Sequence, residues 1–175
     1  MQNISVIWVK DGSFTVIDAD MCDELSKFQW KKDRNGYVLW EEFVRKGKNR
    51  RHWMHQIVNK TPDNFITDHV NLVTWDNRRV NLRTATHHQN HQNTRKRKGR
   101  NTSVFKGVSF VPKTGRWRAR AFVNGREIAV YCATEGEAAL VYNALAQQHF
   151  GEFARLNDVN PEFLVKRGGA LPAEN

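Results

Sequence analysis

The sequence predicts an α+β protein: a small mixed N-terminal region, then a three-stranded antiparallel sheet packed by one helix. Three observations carry this reading. Short apolar runs flank turn pairs such as Asp11-Gly12 and Asn124-Gly125, a complete helix start lies at Thr134 to Glu137, and a basic block divides the chain. The 175 residues suffice for one ordinary domain or two small ones. No apolar run is long enough to span a membrane. The opening residues lack a charged segment ahead of a long apolar core, which argues against a signal peptide. Cys22 and Cys132 lie far apart with no metal-ligand spacing, which fits a reducing cytoplasm rather than a disulfide framework.

The net charge of +10 is concentrated in one place. Residues 94–126 carry eleven basic and no acidic side chains, whereas residues 127–175 carry three basic and seven acidic ones. Charge segregated in this way points to a polyanion, with nucleic acid the first candidate.

Residues 3–17 read as two strands around Asp11-Gly12, and Asp18 is placed to cap a short helix through DADMCDELSKF. GYVLWEEFVRKGKNRRHWMHQIV reads as two strands flanking the basic turn RKGKNR. Trp8, Trp30, Trp40 and Trp53 are expected in a core. Residues 94–104 read as a basic linker after a helix carrying HHQNHQN, with Arg95, Lys96, Arg97 and Lys98 as candidate phosphate contacts. Three β-like runs follow. FKGVSFV precedes a turn at Pro112 to Gly115, and RWRARAFV sets Arg116, Arg118 and Arg120 against Trp117, Ala119 and Ala121. REIAVYCA follows Asn124-Gly125. Thr134 and Glu137 form a T-x-x-E capping box. Ala138, Val141, Tyr142, Leu145 and His149 then share a helix face, and Gly151 ends the helix.

This unit resembles the plant ethylene-response-factor (APETALA-type) DNA-binding domain over residues 105–157, through KGV, G-x-W-x-A, T-x-x-EAA and a closing ARLN. The resemblance implies that the first two strands lie in a major groove. The DNA contacts it implies are Lys106, Arg116, Trp117, Arg118 and Arg120; its turn departs from the family as PKTG.

FITDHVNLVTWDNRRVNLRTATHHQN, residues 65–90, carries the catalytic expectation. Phosphodiester hydrolysis needs a base to activate water and a Lewis acid to absorb charge. A neutral imidazole suits the first task and a carboxylate-bound Mg²⁺ the second. Asp68 and His69 face opposite sides of an extended strand, so both serve one site only where a turn follows or the strand twists. A loop and then a helix from Thr86 would return Asn90 towards Asp68. D-H, N-x-x-x-x-D-N-R-R-x-N-L-R and T-x-x-Q-N together resemble the HNH nucleases of the ββα-metal type, especially the phage and intron homing kind.

That resemblance implies Asp68 and Asn90 as ligands of one Mg²⁺ or Mn²⁺, His69 as general base, and Asn81 as the brace of the loop and of the His. It also implies 5′-phosphate and 3′-hydroxyl ends. His55, in M-H-x-x-I, is read as structural or phosphate-contacting. His87 and His91 stand at i,i+4 spacing but lack further ligands nearby, so a solvated face is the expectation. Asn93 is expected on phosphate or as a cap. Arg78, Arg79 and Arg83 either pair locally with Asp76 or hold the scissile strand. The family's loop has two glycines where this chain has Leu72 and Thr74. These residues resist positive φ, so a different loop path is expected.

The combined expectation is a monomeric, cytoplasmic, sequence-directed DNA endonuclease of homing type acting on double-stranded DNA. Residues 1–93 form the nuclease module, 94–104 the linker, 105–157 the DNA-reading sheet and 158–175 a tail. The rival expectations are a non-catalytic DNA-binding regulator and a protein that binds nucleic acid through the linker alone.

Overall fold

The computed structural model describes residues 3–97 and 99–164, with Leu164 described by its backbone alone. The chain divides into two compact units, up to His91 and from Gln92 onward.

In the first unit β1 (Ile4–Trp8) and β2 (Phe14–Asp18) form the expected hairpin. Gly12 takes φ +80°, and Asp11 accepts from the Ser13 amide. A 3-10 turn and the short helix α1 (Cys22–Leu25) follow. Asp18 does not cap them as expected: its carboxylate accepts the Arg79 backbone N–H at 2.8 Å, a long-range bond that competes with a local cap. β3 (Lys31–Lys32), β4 (Val38–Arg45) and β5 (Lys48–Trp53) make an antiparallel sheet. The strands run into the stretch expected to be a broad turn, leaving only Lys46-Gly47 to reverse the chain. MHQIV becomes the helix α2 (Met54–Asn59). β6 (Ile66–His69) and β7 (Leu82–Ala85) pair antiparallel, and α3 (His87–Asn93) follows at once.

Ile17, Leu25, Trp30, Val38 and Met54 are the most buried members of the first core. Each contributes on the order of 2 kcal/mol by leaving water. The Trp30 indole N–H donates to the Leu25 carbonyl at 2.7 Å, so its burial leaves no unmet donor. Of the four tryptophans expected in a core, Trp40 and Trp53 are half-buried and Trp8 is 70% exposed. Trp8 sits on the outer face of the β1–β2 hairpin, which packs only its other face inward.

In the second unit β8 (Val108–Val111), β9 (Arg116–Val123) and β10 (Arg126–Cys132) form one antiparallel sheet in the order β10-β9-β8. α4 (Glu135–Phe150) packs against it, its start closed by the full Thr134–Glu137 capping box and its end at Gly151, φ +54°. The buried stripe is Ala138, Ala139, Tyr142 and Ala146, rotated from the expected face, with His149 exposed. Alanines here and at Ala119 let helix and sheet approach closely. Gly107 takes φ +73°, and a Cβ there would stand 2.0 Å from the Tyr142 ring. Asn157, from the closing ARLN, is a clip. It exchanges hydrogen bonds with the Lys106 backbone and with the Asn143 side chain, tying the start of the sheet to α4.

The basic stretch 94–104, expected as a linker, makes hydrogen bonds within the second unit. Thr102 accepts from the Phe110 amide, Glu135 accepts from the Val104 amide, and Ser103 is buried. The segment lies along the second unit because its backbone groups find partners there.

Candidate functional site

β6 ends at His69, and the chain turns at once: the Leu72 N–H donates to the His69 carbonyl at 2.9 Å. Asp68 and His69 are both buried, at 2% and 4% exposure. Asp68 faces Arg83 across the β6–β7 register, and both Arg83 Nε and NH2 donate to Asp68 Oδ2, at 2.9 and 2.7 Å. A buried carboxylate needs such a countercharge.

The loop between the strands is held by its own side chains. Asn81 Oδ1 accepts the Asn71 amide at 2.9 Å and Asn81 Nδ2 donates to the Asp76 carbonyl at 2.8 Å, a brace across the loop. Asp76 accepts from Asn71 and takes a bidentate pair from Arg78, both contacts at 2.7 Å. The Arg78 guanidinium beside Asp76 holds that carboxyl below its ordinary range. Leu72 takes φ +62°. The loop therefore accepts the left-handed turn that its side chain was expected to resist, and the Asn81 brace and the His69 carbonyl over-determine it. Thr74 stays at negative φ.

Asn77, rather than Asn81, hydrogen-bonds the imidazole Nε2. His69 Nε2 donates to Asn77 Oδ1 at 3.2 Å, Asn77 Nδ2 donates to Thr15 Oγ1 at 2.8 Å, and Thr15 donates to the Trp75 carbonyl at 2.8 Å. This chain sets the Asn77 amide and hence the His69 tautomer, placing the basic lone pair on Nδ1. Burial lowers the His69 pKa, against opposing pulls from Asn77 and the Asp68 charge, so the ring is neutral at physiological pH. His55 packs beside it with ring centroids 5.3 Å apart, and Tyr37 lies 5.8 Å from His69. Burial, with the nearby His69, takes His55 down to about 3, and among the described residues its Nδ1 has no hydrogen-bond partner. Asn77 stood in the quoted D-N-R-R run and His55 in M-H-x-x-I; Tyr37 had no sequence signal.

Thr86 and Gln89 form a reciprocal cap on α3. The Gln89 amide donates to Thr86 Oγ1, and Gln89 Oε1 accepts the Thr86 amide at 2.8 Å. T-x-x-Q is thus a helix start, and it places Asn90, half-buried, in the first turn of α3. His87 and His91 are exposed. Asn93, expected on phosphate or as a cap, is buried. Among the described residues no three His, Cys, Asp or Glu side chains converge as a metal cage.

The expected DNA contacts fare unequally. Arg79 pairs with Asp20 at 2.9 Å, so Arg78, Arg79 and Arg83 are all in ion pairs. Lys96 Nζ donates to the Phe105 and Val108 carbonyls at 2.7 and 3.1 Å. Lys106 Nζ donates to the Gln92 and Thr94 carbonyls. Burial takes Lys106 to about 8. Both ammonium groups donate to backbone carbonyls. Trp117 packs against the helix-side core and on Phe110, whereas Arg116 and Arg120 are exposed. Arg118 and Arg120 share Glu127 at 3.5 and 3.4 Å. Arg95 and Arg97 are exposed, and Lys98 lies outside the described residues. Arg95, Lys96, Lys106 and Arg155 line one shallow open cleft.

No described helix is long and apolar enough to cross a membrane. No protein-family model matches the chain, and no solved structure matches it. The chain is 29% identical over 150 residues to a protein of Acanthamoeba polyphaga mimivirus named an uncharacterized HNH endonuclease, covering 85% of this chain and 77% of the relative.

Proposed function

We propose that the chain is a metal-dependent DNA endonuclease of homing type, with His69 as general base and the second unit as its DNA-reading module. The observation that carries the reading is the tautomer lock on His69: a buried, neutral imidazole whose Nε2–H is engaged by Asn77 and whose basic nitrogen is Nδ1. His69 Nδ1 takes the proton from the attacking water. Asn77 keeps Nε2 protonated, and Asn81 holds the loop that carries Asn77. Asp68 and Asn90 offer hard oxygen donors, one carboxylate and one carboxamide, which fit a Mg²⁺ or Mn²⁺ that keeps waters and takes phosphate oxygens. When bound, that ion supplies Lewis-acid stabilisation of charge on the scissile phosphate and leaving oxygen. The products of this reading are 5′-phosphate and 3′-hydroxyl ends, and a single centre in a small monomeric chain favours nicking.

In the second unit the three-stranded sheet with exposed Arg116 and Arg120 supports an ethylene-response-factor-like module entering a major groove. Arg95, Arg97 and Arg118 add phosphate contacts. Lys96 and Lys106 act there chiefly as clasps on backbone carbonyls.

Supercoiled plasmid incubated with and without Mg²⁺, with the ends mapped, tests the reading. Wild type nicks only with the metal, and His69→Ala loses on the order of 10²–10⁴-fold in rate. His69→Ala nicking as fast as wild type sinks the assignment. One observation favours a non-catalytic DNA-binding regulator instead: Arg83 already neutralises Asp68. Under that reading the purified protein binds plasmid and leaves it intact in every metal.

A further inference from the structure

Among the described residues β3 pairs only with Val38 and Leu39, so beyond Trp40 and His52 the β4–β5 pair continues as a ribbon of two strands. The root of the ribbon is charge-balanced. Glu41 pairs with Lys31 and Arg51, at 2.7 and 3.2 Å, and Glu42 with Arg50 at 3.7 Å. The tip is different. Arg45, Lys46 and Lys48 are exposed there, and among the described residues none of them has an acidic partner. Phe43 stands beside them at 74% exposure and Val44 at 44%.

An isolated two-stranded ribbon is marginal in water, and an exposed Phe adds nothing to a core. Protection of a sheet edge against strand pairing accounts for a lysine or two. It does not account for Phe43 and Val44 left in solvent among them. A register shift between Phe43 and Arg45 adds twist. At about 3.4 Å per residue, the five or so residues on each side reach roughly 15 Å. That suits the major groove of DNA, about 12 Å wide and 8.5 Å deep, which admits a two-stranded ribbon.

We propose that the β4–β5 ribbon is a second DNA-binding arm: Arg45, Lys46 and Lys48 contact phosphates of duplex DNA, and Phe43 lies against the groove. The inference rests on the reading of this chain as a DNA-acting protein, and it adds a contact surface in the first unit to the one in the second.

The test is equilibrium binding of the full chain to a fluorescent DNA duplex in EDTA across a salt series. Lys46→Ala/Lys48→Ala is compared with Lys10→Ala/Lys27→Ala, a control that removes the same charge from exposed positions elsewhere in the first unit. The ribbon variant is expected to bind more weakly and to flatten the slope of log K against log salt by about 2, while the control stays near wild type. An unchanged slope in the ribbon variant, or an equal loss in the control, overturns the arm. So does a wild-type chain that fails to bind duplex DNA, or a change seen with an RNA duplex and not with DNA. Because EDTA stops metal-dependent cleavage, a chain that binds but never nicks leaves this result standing and defeats only the nuclease reading.

Discussion

Asn77 accepts from His69 Nε2 at 3.2 Å while donating to Thr15 at 2.8 Å, so a residue of the second strand in the chain sets the tautomer of a histidine on the sixth. Neither end of that amide can be reversed without unpairing a buried group, because Thr15 spends its own proton on the Trp75 carbonyl. Asn77→Ala is expected to slow plasmid nicking ten- to a hundred-fold, the usual order for loss of an orienting partner. DNA affinity in EDTA should remain at the wild-type level. A variant that nicks normally would show that His69 needs no such lock.

The Asp68–Arg83 pair bears on metal binding. Removing Arg83 leaves a buried carboxylate without its countercharge, and such a loss costs about 3–5 kcal/mol. Arg83→Ala should therefore melt lower than wild type in EDTA. Any cation that binds only the folded chain raises the melting temperature. Mg²⁺ should accordingly recover more stability in Arg83→Ala than in wild type, and none in Asp68→Ala. Equal Mg²⁺ shifts in all three proteins would remove Asp68 from the metal site.

His55 predicts an acid-side loss of stability. Its folded pKa of about 3 lies below the ordinary 6.5, because burial disfavours the cation. Between those values the unfolded chain binds the extra proton, so stability rises with pH from about 3 to 6.5 and falls as the solution is acidified. Urea midpoints measured at pH 7 and pH 4.5 should drop steeply for wild type and less for His55→Phe. Parallel profiles would place the acid sensitivity elsewhere.

Leu72 pays for its left-handed backbone, which costs a non-glycine residue about 1–2 kcal/mol. Leu72→Gly recovers much of that, whereas Val73→Gly, at negative φ and similarly half-buried, only adds chain entropy to the unfolded state. Denaturant titration should leave Leu72→Gly more stable than Val73→Gly by about 1 kcal/mol or more. The opposite order would mean that packing of the Leu72 side chain outweighs the strain.

Gly107 is constrained twice, by positive φ and by the Tyr142 ring over its Cα. Gly107→Ala should destabilise the second unit by about 3 kcal/mol, the sum expected for a forbidden backbone and an overpacked core. Loss of near-ultraviolet signal at a lower temperature than wild type would report it. A variant melting with wild type would show that the ring can swing away.

Much of this was legible in the residues themselves. The hairpins at Asp11-Gly12 and Asn124-Gly125, the Thr134–Glu137 box, the stop at Gly151 and the helix after Thr86 are local. Each depends on groups within a few positions of one another, so pattern and turn chemistry specify them. Local signals misled where a distant partner won: Asp18 left its helix for the Arg79 amide, and MHQIV became a helix once Met54 could enter the core. Trp8 faced solvent because its hairpin buries only one side.

For the candidate site, the sequence by itself determined which chemical groups lie near one another along the chain: Asp68 beside His69, and Asn81 and Asn90 at a family's spacing. Only the tertiary structure decided what each group meets. It placed Arg83 on Asp68, Asn77 rather than Asn81 on the imidazole, a buried His55 at its side, and Leu72 in a turn that glycine would suit better. It also turned Lys96 and Lys106 onto carbonyls. The physical reason is the same throughout. A buried charge or polar atom must find a partner, and that partner is chosen by strand register and packing across tens of residues, which no local pattern encodes.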